Sequence, residues 1–152
     1  MRVGIISDTH GLLRPEAERA LDGVDAIVHA GDVGRLEVLE KLKQIAPVFA
    51  VRGNVDTDDW AKDLPLTRVV ELGGVTFYVL HDLHELDLKP EAAGFDFVVR
   101  GHSHKPEESV RNGVRYVNPG SAGPKRFRLP VTLATVDLRK RPWKLEMVTL
   151  AV

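Results

Sequence analysis

Seven side chains between positions 8 and 104 carry the chemistry available to this chain. They are Asp8 and His10 in an Asp-Thr-His run, Asp32 after Gly31, Asn54 after Gly53, His81, and His102 with His104 in a Gly-His-Ser-His run. Four imidazoles, two carboxylates and one amide oxygen are what two neighbouring divalent cations require. Imidazole-rich ligation without thiolate suits Mn²⁺, Fe²⁺, Ni²⁺, Co²⁺ or Zn²⁺ better than Mg²⁺. The set reads as a hydrolase with a dinuclear metal centre.

Taken singly, each residue has a plain structural alternative. Asp8 and His10 are two apart, so in an extended segment both point to one face, about 6.5–7 Å apart; an Asx-turn with a surface histidine is the competing reading. Asp32 has two free oxygens to bridge two ions, or it caps the helix that follows. Asn54 offers a neutral oxygen ligand and an NH₂ that can donate to a phosphate, but Gly-Asn is also a common turn pair. His81 ends an apolar run, and a lone strand-end histidine is more often structural. His84 is the alternative to His81, and His29 reads as a core or supporting histidine. His102 and His104 stand behind Gly101, which allows close backbone approach. The joint occurrence of these donors at strand ends decides for the metal reading.

The elements that must position them follow from periodicity. Buried β-branched runs predict strands at Arg2–Ile6, Asp25–His29 and Pro47–Val51. Between them, helices are predicted at Pro15–Leu21, with Pro in the first turn, and at Leu36–Ile45. Strand–helix alternation predicts parallel strands, whose ligands bind beyond the carboxyl ends, where Asp8, Asp32 and Asn54 fall. The second half is richer in strands. Arg68–Leu72 and Val75–Leu80 flank Gly73-Gly74, and Ser109–Arg111 and Val114–Val117 flank Asn112-Gly113, both hairpin signals. Phe95–Val99 follows a short Pro90–Ala93 helix, and Val131–Leu138 and Lys144–Leu150 close the chain around Arg139-Lys140-Arg141-Pro142. Two packed sheets covered by helices, in a single domain over residues 1–152, is the predicted architecture.

Composition narrows the function classes. The chain is 43% hydrophobic and 28% charged, as in an ordinary globular domain, and has no cysteine, hence neither disulfides nor thiolate metal sites. With 21 basic against 22 acidic residues it lacks the basic excess expected of a duplex nucleic-acid binder. No apolar run approaches a membrane span, so a cytoplasmic protein is expected. No Gly-x-x-x-x-Gly-Lys-Ser/Thr loop argues for a nucleoside triphosphatase. Asn54, Asp56 and Asp58 mimic a calcium loop, but Asp59 occupies the glycine position and Pro65 the final glutamate. Lys125, Arg126 and Arg128 read as a solvated basic turn that can also guide an anionic substrate. Trp60 and Trp143 read as packing residues. Exposed edge strands leave room for a homo-oligomer.

The segments Asp-x-His, Gly-Asp, Gly-Asn, a lone His and Gly-His-x-His resemble the calcineurin-like metallophosphoesterase superfamily over Arg2 to about Ser121. The short length and Asn118-Pro119-Gly120-Ser121 resemble its small YfcE-type phosphodiesterase branch. The resemblance implies an α/β fold, a two-sheet β-sandwich flanked by helices in four αββα layers. It implies Asp8, His10 and His104 on one ion, Asn54, His81 and His102 on the second, and Asp32 between them, with Mn²⁺ the favoured metal. A metal-bridging hydroxide would then attack the phosphodiester of a small substrate, with Asp32 and Asn54 as catalytic residues and Asn54 also holding the phosphate. Two departures stand out. Val55 replaces a histidine that commonly protonates the leaving group, which implies a preference for acidic alcohols. Asp82 follows His81 where relatives usually have glycine. The alternatives are a phosphomonoesterase on the same centre and a non-catalytic scaffold like the related retromer subunit.

Overall fold

A computed structural model describes all 152 residues. Ten strands form two mixed five-stranded sheets. The first has the order β10-β9-β1-β2-β3, from β1 (Arg2–Ile6), β2 (Ala26–His29), β3 (Val48–Ala50), β9 (Thr132–Asp137) and β10 (Lys144–Thr149). The second has the order β4-β5-β6-β8-β7, from β4 (Thr67–Leu72), β5 (Val75–Leu80), β6 (Phe97–Val99), β7 (Glu107–Arg111) and β8 (Val114–Asn118).

Strand alternation sorts side chains between layers, because successive residues face opposite sides of a sheet. Ile5, Val28 and Ala134 join Phe77, Val79, Phe97, Val99 and Val117 in the core between the sheets. Their neighbours Ile6, Ile27 and Leu133 point the other way, onto Ala17 of α1 (Pro15–Ala20) and Val38, Leu39 and Leu42 of α2 (Leu36–Lys43). On the far side of the second sheet, Tyr78, Leu80, Val98 and Tyr116 pack under Leu83, Leu86 and Phe95. That outer layer is thin: a 3₁₀ turn at Leu83–Glu85 and the four-residue α3 (Pro90–Ala93). The sandwich expected from the sequence is therefore present, with its fourth layer reduced. Phe77 and Phe97 stack at 4.9 Å across the inter-sheet core, and Trp143 closes it at 5.6 Å from Phe97.

The hairpins β4–β5 and β7–β8 are antiparallel and turn at Gly73-Gly74 and Asn112-Gly113, as read from the sequence. Parallel pairing joins β1–β2–β3 in one sheet and β5–β6–β8 in the other. Several element ends move by one or two residues from the sequence reading, and a 3₁₀ turn at Asp59–Asp63 has no counterpart in it. No helix is long and apolar enough to cross a membrane.

Candidate metal centre

Every one of the seven residues lies just past the carboxyl end of a parallel strand: Asp8 and His10 after β1, Asp32 after β2, Asn54 after β3, His81 after β5, His102 and His104 after β6. Backbone bonds lock these loops together. Asp8 N–H donates to the Gly31 carbonyl, His10 N–H to that of Asp32, and Gly101 N–H to that of His81, at 3.0, 2.9 and 3.0 Å.

The extended geometry read for Asp8 and His10 is not what the chain adopts. Asp8, His10, Asp32, His102 and His104 all have positive φ, between 46° and 72°. Asp and His are among the non-glycine residues that tolerate this region, and the loops over-determine it through the bonds just named. The side chains thus meet by backbone reversal, not by lying along one strand face. Nor does Asp32 cap a helix, because α2 begins after Arg35 with no side-chain cap.

Their tips converge. Asp8 Oδ1 lies 3.2 Å from His104 Nε2, 3.6 Å from His10 Nε2 and 3.9 Å from His81 Nε2. Asp32 Oδ2 lies 3.1 Å from His81 Nε2 and 3.7 Å from His10 Nε2, so it touches both halves of the cluster. His10 and His104 bring their Nε2 atoms to 3.3 Å. Two overlapping groups result, Asp8–His10–His104 and Asp8–Asp32–His81. His102 and Asn54 stand further out, on the solvent side. His102 meets the His81 ring edge-on at 5.3 Å, and Asn54 is exposed, sharing a pocket of about 110 Å³ with His81, Asp82 and His102.

For Asp8, Asp32 and His81, supporting bonds consume one end of the side chain and leave the other free. Asp8 Oδ2 accepts from the Ser7 hydroxyl at 2.7 Å and from His102 N–H at 3.1 Å. Asp32 Oδ1 accepts from Val55 N–H at 3.0 Å. His81 Nδ1 lies 2.8 Å from the Ala30 carbonyl, which can only accept, so the proton is on Nδ1. A neutral His81 therefore turns the Nε2 lone pair toward two carboxylates, a contact that needs a positive charge between. Asp8 Oδ1 and His81 Nε2 are two of the three buried side-chain polar atoms without a hydrogen-bond partner. Donors of this type, inward and unpartnered, fit divalent cations.

The electrostatics agree. Burial pushes Asp8 up, but His10, the Ser7 hydroxyl, His81 and His104 together hold it below its ordinary value. Asp32 is likewise held down against its burial, by His81, the Val55 amide and His10. Burial pushes His81 down, yet Asp32, Asp8 and the Ala30 carbonyl outweigh it and raise it to about 9. A proton there is the charge that a cation would replace. Burial lowers His104, with Arg126 and His10 adding to it against the pull of Asp8.

Residues that the sequence reading did not assign hold this arrangement in place. The buried Asp56 carboxylate accepts from Val33, Gly34 and Gly53 N–H at 3.2, 2.9 and 2.9 Å, tying the loop after β2 to that after β3. Its signal was the Gly-Asn-x-Asp spacing. Asn118, at the end of β8, donates to the Gly101 carbonyl and the Ser103 hydroxyl, and Ser121 donates to the Asp8 carbonyl. A side chain on Gly101 would collide with Ser7 Oγ and Asp8 Oδ2. His29 is fully buried and bonded at both nitrogens, to Thr9 and Gly31, in keeping with a supporting role. His84 is no substitute for His81: its side chain is 95% exposed and bonds only Asp82. Lys125, Arg126 and Arg128 are exposed, with Arg126 near enough to act on His104.

Residues 1–141 match the calcineurin-like phosphoesterase superfamily domain. A phosphodiesterase of Methanocaldococcus jannaschii is 26% identical over 163 aligned positions, which cover 95% of this chain and 97% of the relative. Among solved structures, the phosphoesterase YfcE from E. coli shares the fold at a TM-score of 0.69 and 24% identity, over 99% of this chain and 100% of its own. Vacuolar Protein Sorting 29 from Cryptosporidium parvum shares it at 0.75 and 22%, over 99% and 98%.

Proposed function

This chain belongs to the calcineurin-like phosphoesterase superfamily, and from that premise we propose that it hydrolyses phosphodiester bonds of small substrates at two divalent transition-metal ions. The observation that carries the reading is the convergence of Asp8 Oδ1 and His81 Nε2, buried and unpartnered, with Asp32, His10 and His104 around them. Asp8, His10 and His104 would hold one ion, and Asn54, His81 and His102 the other, with Asp32 shared. Mn²⁺ is the favoured ion, with Ni²⁺, Fe²⁺, Co²⁺ and Zn²⁺ compatible with the donors. Bound cations supply a water acidic enough to ionise near neutral pH and neutralise charge on the phosphoryl oxygens.

The protein's own share is placement. Ser7 and the His102 amide fix the Asp8 carboxylate, Ala30 fixes the His81 tautomer, and Val55 N–H fixes Asp32. Asn54, exposed at the rim, presents an NH₂ to a phosphoryl oxygen. Val55 is 43% exposed and aliphatic, so it gives the departing oxygen no proton. Leaving groups that are stable as anions, such as phenols, are therefore favoured. Room for both substituents of a diester supports that substrate over a monoester. Beyond His102 the surface opens into a groove of about 470 Å³ lined by Leu83, Arg100 and Arg111. The M. jannaschii relative's name points the same way. A cytoplasmic place of action completes the reading.

The test is metal content together with cleavage of a bis-aryl phosphate and an aryl monophosphate, with and without chelator. Two ions per chain and chelator-sensitive cleavage, faster on the diester, are expected. Protein that takes up neither Mn²⁺ nor Zn²⁺ overturns the proposal and leaves a scaffold on the same fold.

A further inference from the structure

We propose that Asp82 is an additional ligand of the second cation, giving that position a carboxylate of its own. The inference rests on the dinuclear reading above and concerns a residue that this reading leaves without a role. Asp82 lies in the small pocket that also exposes Asn54, His81 and His102. Its two oxygens are used unequally. Oδ1 accepts from both the backbone N–H and the Nδ1 of His84, each at 3.0 Å, which anchors the carboxylate. Oδ2 accepts no hydrogen bond and lies 4.0 Å from His102 Nε2. That distance is too long for a hydrogen bond. It falls within the roughly 3–4 Å that separates two donor atoms bound about 2.1 Å from one ion. Arg52 lines the same pocket but makes no ion pair with Asp82.

The chemical consequence is an asymmetric centre. Asn54, His81 and His102 are neutral ligands, so without Asp82 the outer cation has only the shared Asp32 to balance it. An anchored carboxylate adds one negative charge there and shifts the preference of that position toward harder, oxygen-seeking ions such as Mn²⁺. His84, itself exposed, then acts as a positioning residue, through its bonds to Oδ1.

The experiment is a Mn²⁺ titration of the whole protein at fixed pH, read by the EPR signal of free Mn²⁺ and by metal content after dialysis. It compares wild type, Asp82→Ala and Asp82→Asn, with circular dichroism as the check on folding. Wild type should bind two ions. Asp82→Ala should weaken the second at least about tenfold and leave the first unchanged. Asp82→Asn, which keeps a neutral oxygen, should fall between. Two ions bound by Asp82→Ala with wild-type constants would overturn the role of Asp82 and leave the dinuclear reading standing. Wild-type affinity in Asp82→Asn would show that the negative charge contributes nothing to this position, and would overturn the carboxylate's role too. A wild type that binds no second ion removes both.

Discussion

Lowering the pH from 8 to 5 should cost the folded protein about 2 kcal/mol through His29 alone. His29 is fully buried. Its Nδ1 accepts from Gly31 N–H at 3.1 Å, so the neutral ring carries its proton on Nε2 and donates to Thr9 Oγ1 at 3.1 Å. The Thr9 hydroxyl in turn donates to the Val33 carbonyl at 2.8 Å. A second proton on the ring would face a donor. Burial, with help from His81, lowers the group to about 4, against the opposing charges of Asp56, Asp8 and Asp32. The unfolded chain holds it near 6.5. Between those values the unfolded state binds more protons, so stability rises with pH there. The contribution is complete above about pH 6.5 and disappears as pH falls toward 4, at up to about 1.4 kcal/mol per pH unit and about 3 kcal/mol in all. That is a large part of the 5–15 kcal/mol typical of a domain. Urea unfolding of wild type and His29→Asn, at pH 8 and pH 5 with chelator present, isolates it. Asparagine still offers an oxygen to Gly31 but cannot take up the proton, and His81 titrates in both proteins and cancels. Equal pH dependence in the two proteins would refute the argument.

Asp56→Asn replaces one acceptor oxygen with a donor that faces backbone N–H groups. It should lower stability by roughly 2–4 kcal/mol, seen as a drop of roughly 5–15 °C in thermal midpoint. An unchanged midpoint would show that these loops hold without the carboxylate. Val55→His places an imidazole beside Asn54 at an exposed position. Because general acids contribute about 10²–10⁴ in rate, the ratio of alkyl to aryl diester cleavage should rise at least about tenfold. No rise would show that leaving-group protonation does not limit this site.

Much of this centre could be read from the chain because parallel strands have a simple grammar. A buried β-branched run followed by a polar donor marks a carboxyl end, and Ile6, His29, Leu80 and Val99 are such ends. The Gly73-Gly74 and Asn112-Gly113 turns fixed two antiparallel pairs in the same local way. What escaped was whatever depends on residues far apart. Asp56 looks from the chain alone like part of a calcium loop, because two of its three backbone partners, the Val33 and Gly34 amides, belong to another segment. Ser7 carries no signal until Asp8 folds over it. The left-handed φ of Asp8 and His10 is imposed by loop-to-loop bonds, so alternation alone suggests an extended pair there. The short 3₁₀ turn at Leu83–Glu85 has too few residues for any period to show.

Those left-handed dihedrals also bear on transplanting the centre. Copying its seven side chains onto straight strands of another scaffold would leave Asp8 and His10, and likewise His102 and His104, about 6.5–7 Å apart along a strand face, without the convergence that the loops give. A workable graft has to carry the loop backbone with them, including the donors from Ser7 and Ser121 and the acceptors at Gly31 and Ala30. The portable unit is the interlocked set of loops, with the carboxylates and imidazoles as the lining.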